Sequence, residues 1–242
     1  MPMSFIHKTL DKLLEKNNGD FAKTALVFPT RRAGLFFLKE LQEHPEVKKP
    51  LFAPDIFALA DFTFSLSDLT LADPLVLLLT LYEVYSQVMH KPAKSFERFY
   101  TFGQMMLADF DTIDKYMADS KQIFKNLADY EEIEDLGFTL EASSSKNKYK
   151  QEFMKFWPQL GTIYEQFKQK LREEKQGFGG MIWREVVENF SIYESKLARW
   201  DHIAFAGLNA LSNAEKQFLK KLRLAQKAEI YWDMDKYFTD DI

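Results

Sequence analysis

The chain of 242 residues contains no cysteine. That excludes a disulfide framework, a cysteine-ligated zinc site, an iron–sulfur cluster and thiol catalysis within it, and fits an intracellular chain. Glycine is scarce: 9 residues, about half the usual share of ~7%, which argues against glycine-rich phosphate loops. Long apolar runs are missing too. The longest, Leu75–Leu79, falls far short of the ~20 residues a membrane helix needs. Met1-Pro2-Met3-Ser4 lacks the charged start and apolar stretch of a signal peptide. The net charge of −4 supplies no global basic footprint of the kind that dominates non-specific nucleic-acid binding. The expectation is a soluble, cytoplasmic chain with no membrane partner.

What is present is apolar bulk. Hydrophobic residues make up 46% of the chain and phenylalanine alone contributes 23, enough to fill the core of one large domain or two small ones. Ile6, Leu10, Leu13 and Leu14 recur at helical spacing behind Ser4, an N-cap residue, and Asn17-Asn18-Gly19-Asp20 stops that helix. Thr24–Phe28 is a continuous apolar run ending at Pro29, as in a buried parallel strand. Thr30-Arg31-Arg32 then turns into an amphipathic helix carrying Leu35, Phe36, Leu38 and Leu41. A second short strand is expected around Asp55-Ile56-Phe57.

From about Leu66 to Leu197 the pattern is helical. Helices are expected over 75–89, 96–117 with a break near Asp109, 120–127, 153–171 around Pro158, and 181–197. Strand signals return at His202–Ala206. Ser212 and Glu215 form the ends of a capping box, and Glu229–Trp232 closes the pattern. The expected architecture is α/β: a P-loop NTPase-like (RecA-like) parallel sheet domain made of residues 1–66 and 198–242, interrupted by an all-helical insertion over 67–197. Charge is uneven inside that insertion. Residues 107–143 carry a net −7 and residues 144–184 a net +5, divided by the polar stretch Ala142–Asn147.

Several constellations bear on chemistry. No G-K-[ST] follows a glycine-rich turn, and no G-x-G-x-x-G occurs. Gly177-Phe178-Gly179-Gly180 reads as a helix C-cap and turn. Asp109, Asp111, Asp114 and Asp119 form an acidic stretch in which Asp111 and Asp114, at i and i+3, either hold Mg²⁺ or form a solvated face. Asp233-Met234-Asp235 leaves a strand end where carboxylates either bind metal or form a polar turn. His7, His44, His90 and His202 are scattered without metal-ligand spacing, so no site is assigned to them. Thr30, Arg31 and Arg32 follow a strand and open a helix. Two guanidiniums and backbone N–H groups there suit phosphate, and equally suit local pairing with an acid.

The stretch Ala25-Leu26-Val27-Phe28-Pro29-Thr30-Arg31-Arg32-Ala33-Gly34-Leu35-Phe36 resembles the opening of the AddB-type subunits of helicase–nuclease complexes. It is similar in particular to bacteroidete members described as inactivated superfamily I helicases joined to a PD-(D/E)XK nuclease. Asp73-Pro74-Leu75 through Tyr85, Leu107–Tyr116, and Phe205–Glu215 continuing to Asp235 agree in the same order. The resemblance implies a helicase domain 1A carrying a helical subdomain 1B. It implies that Thr30, Arg31 and Arg32 resemble motif Ia, which contacts single-stranded DNA backbone. Gly207, Leu208 and Asn209 would occupy the place of motif II, where an active helicase carries an Asp-Glu pair. With that pair and the phosphate loop missing, the resemblance implies a module that is not an enzyme.

No cofactor, metal or small-molecule substrate is expected. The expected role is single-stranded DNA binding or subunit assembly in double-strand-break repair, with DNA and a partner helicase–nuclease subunit as partners. The family's nuclease and its four-cysteine iron–sulfur site lie outside this stretch. Phe28, Phe36, Tyr149, Phe156 and Trp157 are candidate base-stacking platforms. The alternative is a scaffold that docks a partner helicase subunit without touching DNA, which the acidic stretch favours. A residual nucleotide-binding enzyme is the third reading.

Overall fold

A computed structural model of the chain describes residues 4–47, 50–90, 95–126 and 147–234, with the backbone alone for 147–155. The chain forms two compact units, Met1–Ser67 with Glu185–Ile242, and Asp68–Arg184. Among the described residues, no helix is long and apolar enough to cross a membrane.

The first unit is built on β1 (Thr24–Phe28), β2 (Asp55–Ala58), β5 (His202–Ala206) and β6 (Ala228–Tyr231). They form one parallel sheet in the order β2-β1-β5-β6. Every residue of β1 is buried, because helices cover both faces; this is why the strand reads as a continuous apolar run. Residues of one parity, Leu26, Phe28, Ala204 and Ala206, pack with Leu10, Leu13, Phe37 and Leu41 of α1 (Phe5–Lys16) and α2 (Arg31–Glu43). On the other face, Phe205 meets Phe62 of α3 (Leu59–Leu66) edge-on. Phe62 in turn touches Phe57, Trp200 and Phe218, the last on α9 (Asn213–Leu224). The Trp200 indole N–H donates to Asp55 Oδ2 at 2.7 Å, tying that end of the unit to β2.

Local sequence accounts for the helix starts. Ser4 accepts from His7 N–H, Thr30 from Ala33 N–H, and Ser212 and Glu215 close a complete capping box, a feature worth about 1 kcal/mol.

The second unit holds β3 (Thr70–Leu71), α4 (Pro74–Val88), α5 (Phe96–Lys115), a helical stretch over 120–126, α6 (Asn147–Glu173) and β4 (Gln176–Gly177). It is helical but not wholly so, since β3 and β4 pair in parallel. Two residues per strand carry no periodicity to read. α5 runs unbroken through Asp109, and α6 accommodates Pro158 in its interior. Phe99, Phe110, Phe124, Tyr164 and Phe167 form the aromatic centre of its core.

The helix expected over 181–197 is in fact three pieces: α7 (Gly179–Glu188), α8 (Phe190–Tyr193) and a 3₁₀ turn (Glu194–Arg199). The division between the two units falls at 184/185, inside α7. The expected return to the sheet unit at residue 198 thus comes earlier, because Phe190 packs on Phe218. Gly177–Gly180 is not a helix C-cap. It carries β4 into α7, and a Cβ on Gly180 would lie 2.3 Å from the Asp111 carbonyl oxygen, so only glycine fits this close approach.

Candidate functional site

Because all four strands of the main sheet are parallel, their carboxyl ends share one edge. The chain steps from β1 outward to β2 on one side, whereas β5 and β6 lie on the other. The order therefore reverses between β1 and β5, and the crevice outside such a switch point is where open α/β sheets bind ligands. Thr30-Arg31-Arg32 leaves β1 and Gly207-Leu208-Asn209 leaves β5, so two segments separated by most of the chain meet on adjacent strand ends.

The Thr30 hydroxyl is the α2 cap. Arg31 forks onto Asp61 of α3, with Nε to Oδ2 at 2.6 Å and Nη2 to Oδ1 at 2.8 Å. These hydrogen bonds hold the Asp61 carboxyl below the usual carboxylate range, against the opposing effect of partial burial. The Arg31 side chain is nevertheless 82% exposed, so the pair is solvent-screened and weak. Arg32 is exposed, with its guanidinium carbon 5.7 Å from the centroid of the Phe36 ring, itself 49% exposed. Among the described residues Arg32 makes no ion pair.

At the second turn, Gly207 takes φ +69°, and its N–H donates to the Tyr231 carbonyl at 3.0 Å. The Phe5 ring lies where a side chain would begin to crowd. Leu208 is buried and Asn209 is exposed, and no carboxylate is present in this turn. Asp233 is exposed beyond β6, beside exposed Trp232 and Met234, and Asp235 lies outside the described residues.

The other candidates separate cleanly. Phe28 and Phe156 are core residues and cannot serve as stacking platforms, whereas Phe36 can. Trp157 packs against the core of the second unit, and the Tyr149 side chain lies outside the described residues. Asp111 and Asp114 do not form a solvated face. Asp111 accepts the Gly180 N–H and pairs with Lys115. Asp114 is fully buried and accepts from Tyr164 Oη at 2.5 Å, Lys168 Nζ at 2.9 Å and Arg184 Nη1 at 3.1 Å. Burial, reinforced by Asp114, pushes the Tyr164 hydroxyl well above its ordinary range; burial lowers Lys168, with Asp114 opposing. Asp109 is exposed, and Asp119 accepts the Gln122 N–H at the start of the 120–126 stretch.

The histidines are not all scattered. His7 and His44 come together with Asp11, their rings 5.3 Å apart. The signal in the sequence was two i, i+4 pairs, His7 with Asp11 on α1, and Glu40 of α2 with His44, the residue that caps the end of α2.

No protein-family model matches the chain, and neither does any curated protein.

Proposed function

We propose that this chain is a helicase-like module without the machinery for ATP hydrolysis, and that it binds the backbone of single-stranded DNA at the carboxyl edge of its sheet. In this reading the first unit is a RecA-like domain, and Asp68–Arg184 is its inserted subdomain. What carries the reading is the juxtaposition at the switch point: an exposed Arg32 beside an exposed Phe36, next to a strand end that offers Gly207-Leu208-Asn209 in place of a carboxylate pair. A cation beside an aromatic face is what a single strand asks for, one for phosphate and one for a base. The missing phosphate loop and acidic pair argue against nucleotide turnover.

Fluorescence anisotropy with a labelled oligothymidine tests it. Two phosphate-contacting arginines give a slope of log K against log salt of about −1.4. Arg32→Ala lowers affinity at least fivefold, and Arg31→Ala less, since Arg31 is shared with Asp61. No binding at 20 mM salt, with both variants like the wild type, overturns the proposal.

The Arg31–Asp61 fork favours a second reading, in which this edge is a scaffold for a partner helicase subunit and Arg31 is a structural residue. Leu35, Leu38 and Phe52 stand exposed in the same unit. Partner capture that survives both arginine substitutions, without DNA binding, selects it.

A further inference from the structure

We propose that His7, Asp11 and His44 form a site for a divalent transition ion of the zinc type, which clips α1 to the end of α2. This inference does not rest on the DNA-binding reading. One donor atom from each of the three residues lies within 4.8 Å of the others. His44 Nε2 is 2.9 Å and His7 Nε2 is 3.9 Å from the same Asp11 oxygen, Oδ1. Donors at zinc bond lengths of about 2.0–2.1 Å in a tetrahedron stand about 3.3 Å apart, so these two separations straddle the required one. Two imidazoles and one carboxylate make a borderline donor set that suits zinc, cobalt or nickel over magnesium or calcium, which prefer oxygen alone. Three protein ligands leave the fourth position to water.

The surroundings supply what such a site needs. Glu40 Oε2 lies 3.0 Å from His7 Nδ1. A carboxylate there takes the Nδ1 proton as a hydrogen bond and leaves the Nε2 lone pair of the neutral ring facing Asp11. His44 is nearly buried, so it loses little conformational freedom on binding. Its Nδ1 accepts the Glu46 N–H at 3.3 Å, which places the proton of the metal-free ring on Nε2, toward Asp11. Binding moves that proton: a ring that ligates through Nε2 carries its hydrogen on Nδ1, and the long Glu46 contact is given up. Asp11 stays half-exposed, which leaves the ion a way in.

The experiment is calorimetric titration of the tag-free, chelator-stripped chain with zinc chloride at pH 7.5, repeated with cobalt to read the visible spectrum. The expected result is one ion per chain and a visible cobalt spectrum of tetrahedral intensity. His7→Gln and Asp11→Asn, both at partly exposed positions, each weaken binding more than tenfold while circular dichroism is unchanged. Glu40→Gln weakens it about 10-fold, at the low end for an outer partner. His90→Gln, remote from the cluster in sequence, leaves it untouched. Absence of binding at 100 µM zinc overturns the proposal, as does binding that His7→Gln and Asp11→Asn leave unchanged.

Discussion

Replacing Asp114 by alanine provides the sharpest test of what holds the second unit together. The carboxylate is fully buried and receives donors from α5's neighbours on two other helices: Tyr164 and Lys168 of α6, and Arg184 of α7. Removing one partner of a buried ion pair costs about 3–5 kcal/mol, because the remaining charge is stranded. Two features hold the loss toward the lower figure. Arg184 keeps a hydrogen bond to the Ala118 carbonyl, and Lys168 Nζ keeps the Tyr164 hydroxyl at 2.8 Å. Burial already lowers the Lys168 pKa, so the stranded amine can also shed its proton. In the variant the folded pKa falls further below the unfolded value of 10.5. Its folded state then binds fewer protons, and its stability rises with pH toward that value.

The expected outcome is therefore a loss of about 3 kcal/mol at pH 7.5 that narrows toward pH 10. Urea denaturation measures the loss. Hydrogen exchange in α5 and α6 assigns it to this unit. A double substitution, Asp114→Ala with Lys168→Met, recovers part of the loss, since no buried amine is then stranded, while the Tyr164 hydroxyl and the Arg184 guanidinium still lack the carboxylate. A loss below ~1 kcal/mol, or a deficit that widens with pH, refutes the reasoning.

Two further outcomes are expected. Gly180→Ala gains ~1 kcal/mol of helix propensity but drives a Cβ against the Asp111 carbonyl oxygen at a cost of about 1–3 kcal/mol, for a net loss of up to about 2 kcal/mol in urea denaturation; a stabilised variant contradicts the close approach. Burial, with Lys16 nearby, holds the His202 imidazole below its usual 6.5, against the pull of Glu229. Its stabilising contribution is complete above about pH 6.5 and is lost as pH falls through the folded value. His202→Gln should flatten the pH dependence of stability between pH 5 and 7, and an unchanged slope removes His202 as its cause.

Where local chemistry decides structure, the sequence was sufficient. The Ser212–Glu215 box, the Thr30 cap and the apolar run of β1 were all legible, and so was the discontinuity of the sheet. What escaped was set by distance. α3 follows β2 without a break, so Leu59–Leu66 carries no start signal, and its first turn has no side-chain cap. β3 and β4 exist only because residues 70–71 find residues 176–177. The carboxylates of α5 looked like a polar face until Lys168 and Arg184 arrived from other helices. Arg31 was legible as either a phosphate contact or one half of a local pair. Only the position of Asp61 in space reveals the pairing.

The pairing of β1 with β5 also constrains the order of events during synthesis. Asp68–Arg184 is continuous in sequence, so all the partners it needs for its internal contacts are present once residue 184 has left the ribosome, whereas those of the sheet are not. β1 and β2 emerge early, yet the β1 edge that β5 will occupy stays open until about 150 more residues are made, on the order of 7–30 s at ribosomal speed. A largely apolar strand with one edge open is a template for association with other chains during that interval. Slowing translation between residues 67 and 202 should therefore lower the soluble yield of this protein even though no residue has changed.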